Sequence, residues 1–274
     1  MVSDAAAALP QTCCPTVWLW PGHALYAGPG LGLQPHSGSV WCLAVGVDAP
    51  LTVTAAGIAI VARSVLIPPR LTHHLSMDGV VVSCYLDPGS PRTASCRRQL
   101  AEFRGPVGVD HVDQQALTVA PHDDASALRW LDVAAPEIPH QIDPRIALVA
   151  KQIRDDPTGA RSARELAAAA GLSESRFLHL FRREVGTSLR RYRMWSRLVL
   201  AGRGLAAGQN LTTSAVDSGF ASPSHLADSF KTTFGLSATR LLQTGLRIRT
   251  PRRACAKCRE NTACRRADTH GRGA

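Results

Sequence analysis

A chain of 274 residues that is 45% hydrophobic and 19% charged is too long for a peptide and too apolar for a disordered segment, and it can form two cores of roughly 100–200 residues each. Its net charge of +10 is unevenly placed, since residues 1–140 carry 7 basic and 11 acidic side chains and residues 141–274 carry 24 and 10. The whole excess lies in the second half, where it suits a polyanionic partner or a solvated surface.

Residues 5–47 contain no Asp, Glu, Lys or Arg, yet Pro10, Pro15, Pro21, Pro29 and Pro35 exclude a lipid-spanning helix of ~20 residues. Residues 1–4 lack the basic and apolar regions of a secretory signal, so a cytoplasmic chain with no membrane partner is expected. Eight cysteines in a chain this large fit a reducing compartment better than a disulfide framework.

Short runs rich in Val and Ile follow at 40–47, 51–56, 58–62, 64–67 and 80–85, broken by Asp48-Ala49-Pro50, Gly57, Pro68-Pro69 and Asp78-Gly79. They predict strands of an antiparallel sandwich or barrel. Helices are expected over 94–103 and 125–133, and the stretch 134–144, with Pro136, Pro139 and Pro144, reads as a linker. Beyond it the pattern is helical. Asp143 caps a helix with Pro144 at its first position, and Ile146, Val149, Ala150 and Ile153 make one apolar face. Ser162 and Glu165 form a capping box for an Ala-rich helix ending at Gly171, and Ser173 caps the next helix, which carries Phe177, Leu180 and Phe181. Two short helices about a Gly turn make a helix-turn-helix.

That unit recurs. At an offset of 49 residues, Ser173 matches Ser222, Ser175 Ser224, Phe177 Leu226, Phe181 Phe230, Arg182 Lys231, Gly186 Gly235 and Ser188 Ser237. Serine caps, Phe and Leu dock each helix on its core, and glycine ends it. Gly171 and Gly219 provide corresponding turns one residue out of register. Between the copies, residues 189–206 predict one helix with Tyr192, Trp195, Leu198 or Val199, and Leu205 on its packed side; at 1.5 Å per residue it spans roughly 27 Å, a little under the ~34 Å of one DNA turn. Gly202 and Gly204 weaken such a helix and have no explanation in the sequence.

The run from Ser173 to Ser188 with Tyr192, Arg197 and Leu198, and then from Gly219 to Lys231 with Phe234-Gly-Leu-Ser237, resembles the AraC/XylS family of bacterial transcription regulators. The resemblance covers about residues 142–242. It implies two helix-turn-helix subdomains on a long helix that bind promoter DNA behind an effector-sensing or dimerising domain. The first half is similar to the cupin-type sensor often fused to that module, on His36, the strand from Val40, and the stretch from Val65 to Leu75. The chain departs from the family at residues 238–242, where a proline and a Tyr-Arg pair are usual, at Ser214, usually apolar, and at Asp228, usually basic or polar. A carboxylate is repelled by phosphates, so the second copy is expected to bind DNA more weakly. Alternatively, Asp228 accepts from a cytosine amino group.

The expected fold is α+β: an amino-terminal β-rich, cupin-like barrel (1–135), a linker (136–142), an all-α double helix-turn-helix module (143–245), and a basic tail without fixed structure (246–274). In the first copy the resemblance implies, by family position, Ser175, Leu178 and His179 at base edges, with Arg176, Arg182 and Arg183 on the same face and the last two suited to phosphates. In the second copy Ser224, His225 and Lys231 are the DNA-binding candidates. His36, Trp41, His73 and His74 are effector-binding candidates, with structural roles as the alternative. RNA polymerase and a second copy of the chain fit as further partners. No cofactor, metal ligand or catalytic residue is expected: no G-x-S-x-G, Walker loop, H-E-x-x-H or histidine cluster with a carboxylate at cupin spacing occurs, and Gly28-Pro-Gly-Leu-Gly32 reads as a turn. In the tail, Cys255, Cys258, Cys264 and His270 suggest zinc only superficially, one ligand turn being too few; an extension adding phosphate affinity is the main expectation. Two other readings stay open, a metal-dependent cupin enzyme fused to a DNA-binding module, and an architectural binder without sequence preference.

Overall fold

The apolar runs of the first half present side chains alternately to two faces, and turns between them let neighbours pair antiparallel. The computed structural model describes residues 14–139, 142–159 and 161–251. Its first half contains β1 (Thr16–Trp20), β2 (His23–Pro29), β3 (Trp41–Gly46), β4 (Leu51–Ala55), β5 (Ile58–Ala62), β6 (Ser64–Ile67), β7 (His73–Ser76) and β8 (Val80–Leu86). There follow α1 (Pro91–Arg98), β9 (Leu100–Arg104), β10 (Val107–His111), α2 (Gln114–Leu117) and α3 (Asp124–Ala134). A three-stranded sheet, β5-β4-β7, faces a larger sheet in which β1, β2, β8, β3, β6, β10 and β9 lie side by side. Leu51, Val53, Ile60 and Leu75 from the small sheet meet Ala44, Val65, Val81 and Val109 from the large one. The other face of the large sheet buries Trp18, Leu25, Leu43 and Val82 under Trp130 and Leu131 of α3.

Two expectations shift here. The helix foreseen over 94–103 starts earlier and is shorter, because Ser90 caps α1 ahead of Pro91. Leu100 and Phe103 lie in β9, which pairs with β10 across a turn at Gly105. The apolar runs give no sign of strands β1, β2, β9 and β10, while β7 continues the Val65–Leu75 stretch that is similar to the turn entering a late barrel strand.

The second half contains α4 (Pro144–Asp155), α5 (Ala163–Ala169), α6 (Glu174–Val185), α7 (Leu189–Ala206), α8 (Leu211–Asp217), α9 (Pro223–Phe234) and α10 (Ala238–Gln243). Every helix begins at an expected or equivalent cap: Asp143, Ser162, Ser173 and Ser222 each accept a backbone N–H of the first turn. Gly186 and Gly235 close α6 and α9 at φ +74° and +75°, a conformation that costs a residue with a Cβ. Phe177, Phe181 and Tyr192 centre the core of the first copy; Leu198, Ala215, Phe220 and Leu226 centre that of the second. Ser214 at its apolar position is buried, and its Oγ lies 3.3 Å from Gln209 Oε1.

The tail expected from 246 onward begins as a strand. β11 (Arg247–Arg249) runs parallel to β1 and extends the edge of the large sheet, with Ile248 packed beside Leu19 and Val17. Alternation explains it: one apolar residue between two arginines buries its side chain while both neighbours stay solvated. The basic stretch 252–274, with Cys255, Cys258, Cys264 and His270, and linker residues 140–141 lie outside the described residues. Among the described residues no helix is long and apolar enough to cross a membrane.

Candidate DNA interface and interdomain cavity

The amphipathic pattern of α6 buries Phe177, Leu180, Phe181 and Val185. It leaves Ser175, Arg176, Leu178, His179, Arg182 and Arg183 exposed on the remaining surface. Leu178 is 39% exposed, notable for an aliphatic side chain beside three arginines. Arg183 is paired with Glu184 at 2.7 Å, so it must exchange that carboxylate for any phosphate it meets. In α9, Ser224, His225, Asp228 and Lys231 are exposed while Leu226 is buried. His225 accepts the Ala221 N–H at its Nδ1 (3.4 Å) and lies edge-on to Phe220. Arg176, Arg182 and Arg183 give the α6 face three cations, whereas Lys231 of α9 shares its surface with Asp228.

α7 joins the two copies, and its other face lies on the β domain. Trp195 is buried between Tyr85 and Phe234 and donates its Nε1–H to Gly22 O at 3.0 Å. The two glycines of α7 now have a reason. A Cβ on Gly202 would lie 2.8 Å from Leu19 Cδ1, and one on Gly204 would collide with Gln209 and Ser214, so both permit close approach of a neighbouring element. Asp87, at the end of β8 and 2% exposed, is held by Arg154 of α4 at 2.8 Å, by Tyr192 Oη of α7 at 3.2 Å and by the Gly89 N–H at 2.8 Å. Burial pushes its carboxyl above the ordinary range although Arg154 pulls it down. The segment before β3 reaches α9: Gln34 N donates to Gly235 O at 2.8 Å and Ser37 N to Thr232 O at 3.2 Å.

Between the domains lies an apolar cavity of about 140 Å³. Tyr26, Val81 and Tyr85 of the large sheet, Leu33 and Met77 from loops, and Trp195 and Leu205 of α7 line it, with Phe230 and Leu241 from the second copy. The helical spacing of α7 marks its packed side but not the partner, which lies some 170 residues away, as the Trp195 to Gly22 bond (173 residues) illustrates.

The four effector candidates lie elsewhere and are not among the cavity's lining residues. His36 and His73 are buried with ring centroids 4.3 Å apart, and each Nδ1 lies 2.9 Å from a backbone carbonyl, of Gln34 and Leu71. Burial and the neighbouring His73 bring His36 down to about 4, and burial lowers His73 as well. His74 is exposed on the other side of β7, and Trp41 stacks under Arg97, 4.9 Å from its ring centre. Among the described residues no group of three or more His, Cys, Asp or Glu is placed to hold a metal ion.

Residues 166–244 match the helix-turn-helix domain family. No curated protein matches the chain. Solved structures of ToxT from Vibrio cholerae resemble it over both domains. An apo variant gives a TM-score of 0.54 at 12% identity, covering 81% of this chain and 97% of that one. A second ToxT structure gives 0.51 at 13%, covering 81% and 96%, and one with unsaturated fatty acid bound gives 0.50 at 12%, covering 80% and 94%. At such identity the likeness shows the two-domain fold alone.

Proposed function

We propose, from the premise that residues 166–244 form a helix-turn-helix domain of the AraC type, that this chain is a sequence-specific DNA-binding transcriptional regulator whose DNA affinity responds to a small molecule. The observation that carries the proposal is the pair of capped helices α6 and α9, each burying one apolar face and exposing a polar one, at either end of the 18-residue α7. That rod, roughly 27 Å long, suits major grooves about one turn apart. Ser175, Leu178 and His179 read bases in the first, Arg176, Arg182 and Arg183 hold its backbone, and Ser224, His225 and Lys231 serve the second. We read the first domain as a cupin-like sensor on its two facing sheets, and the chain as a regulator without catalytic activity. RNA polymerase and a second copy of the chain are the partners such a role calls for.

The effector site of this proposal is the interdomain cavity in place of His36, Trp41, His73 and His74. It touches both the sensor sheet and the second DNA-binding copy, so a ligand there has unequal affinity for the docked and undocked arrangements, the requirement for control. Selection of bound sequences from a random pool, followed by footprinting, tests the function. The expected product is two half-sites about 10 base pairs apart, with His179→Ala losing 1–3 kcal/mol, on the order of a tenfold or larger drop, and relaxing preference at one position. Equal affinity for selected and random DNA at physiological salt would favour the architectural binder instead.

A further inference from the structure

Resting on the reading of the interdomain cavity as the effector site, we infer that its ligand is a small uncharged, hydrocarbon-like molecule and not a carboxylic acid. Of the side chains that line the cavity, none among the described residues is Lys, Arg, His, Asp or Glu. Its polar side-chain groups are the hydroxyls of Ser83, Tyr26 and Tyr85 and the indole N–H of Trp195, which is already donated to Gly22 O. Tyr26 already donates to Pro29 O at 2.7 Å. Burial holds the Tyr85 phenol well above its ordinary range, so it stays neutral.

The nearby cations point elsewhere. Arg247 and Arg249 flank the lining residue Ile248 and are exposed where it is half-buried; Arg249 pairs with Asp124 at 2.5 Å. Arg240 is exposed on α10, while Ala238, Leu241 and Leu242 supply the lining. Arg203 of α7 borders a separate small pocket with Pro21 and Arg154. A shallower depression shares Leu205, Leu211, Leu242, Leu246 and Ile248 with the cavity and adds Gln209 and Asn210. Gln209 is bonded to Asp217 at 2.7 Å, so the adjoining rim offers amides and a carboxylate. An ionised acid entering here would shed its hydration with no cation to replace it, which is prohibitive for an isolated carboxylate. A neutral chain or ring loses nothing comparable and gains the burial of its apolar surface. The volume of about 140 Å³ is close to the ~150 Å³ of an apolar cavity that holds benzene, which sets the ligand at about six to ten carbons.

Calorimetric titration of the full chain at pH 7.5 with 1-octanol and with octanoate separates the alternatives. The expected result is saturable octanol binding and octanoate binding at least tenfold weaker. Leu205→Trp, which fills the cavity from its partly exposed wall, abolishes octanol binding. Leu33→Lys, which brings an ammonium to the lining, strengthens octanoate binding at least tenfold. Octanoate binding the wild-type chain as tightly as octanol, with Leu205→Trp abolishing both, overturns the neutral class but keeps the cavity as the effector site. Failure of Leu33→Lys to admit octanoate in a folded protein also counts against the neutral class, since absence of a cation would then not be what excludes the acid. If neither compound binds, or if octanol binding survives Leu205→Trp, the effector-site reading fails and this inference with it.

Discussion

The two helix-turn-helix copies share caps, turns and core positions, yet they sit in different company. The first is closed around its own core of Phe177, Phe181 and Tyr192 and exposes three arginines. The second leaves Phe230 and Phe234 half-buried against the cavity, ties Gly235 and Thr232 to the segment before β3, and exposes Asp228 beside Lys231. Duplication thus kept the scaffold but not its surroundings: both copies touch the β domain, the first through the polar cluster of Asp87, Arg154 and Tyr192 and the second through the apolar cavity wall.

The largest test of this contrast is a pair of truncations. Phe177→Ala removes a side chain that is 0% exposed and should cost about 3–5 kcal/mol of stability. Phe230→Ala, at the cavity wall, should cost about 1–2 kcal/mol, because its ring is only partly buried. Equal costs in urea unfolding would mean that the second copy has as independent a core as the first.

A smaller effect comes from pH. His36, beside the end of α9, falls from 6.5 to about 4, so between those values the unfolded chain binds more protons than the folded one. Stability is therefore complete above about pH 6.5 and declines on acidification toward 4, by about 3 kcal/mol for this group. The urea midpoint measured at pH 7.5 and 4.5 should fall, and His36→Gln should lessen the fall. If the variant falls as far as the wild type, acid loosening arises elsewhere. The smallest effect is electrostatic. Asp228→Asn should raise DNA affinity about two- to fivefold at low salt, as loss of one repulsion at an exposed site would. A loss of affinity confined to sites with one particular base pair would instead reveal Asp228 as an acceptor for cytosine.

Much of the second half was legible in the sequence because capping and helical spacing are local. Asp143 with Pro144, Ser162 with Glu165, and the paired ends Gly186 and Gly235 each act within a few residues of their own helix. The first half was legible where Val and Ile runs met strong turn formers, as at residues 64–67. It was not legible at β1 and β2, where a charge-free, proline-bounded stretch has little alternation, nor at β9, where Leu100 and Phe103 fall at helical spacing and their strand partner lies beyond Gly105. The cavity had no local signature, since its walls come from both ends of the chain. Gly202, which lines it, marks it indirectly as a small residue in a helix otherwise made for packing, but its meaning depends on Leu19, which only the folded chain brings alongside; Gly204 instead makes room for Gln209 and Ser214. For His36 and His73 the sequence leaves effector contact and a structural role equally open, and in the fold their Nδ1 atoms lie 2.9 Å from the backbone carbonyls of Gln34 and Leu71.

The short strand β11, laid along β1, gives the second copy an unusual mechanical character. Residues 207–246 are held to the β domain at both ends, by α7 and β11, and also midway, where Gly235 and Thr232 accept the N–H groups of Gln34 and Ser37. These attachments fix α9 to the sheet that also carries the sensor-side wall of the cavity. Ending the chain after residue 245 removes β11 and with it the strand pairing that joins the end of the second copy to β1.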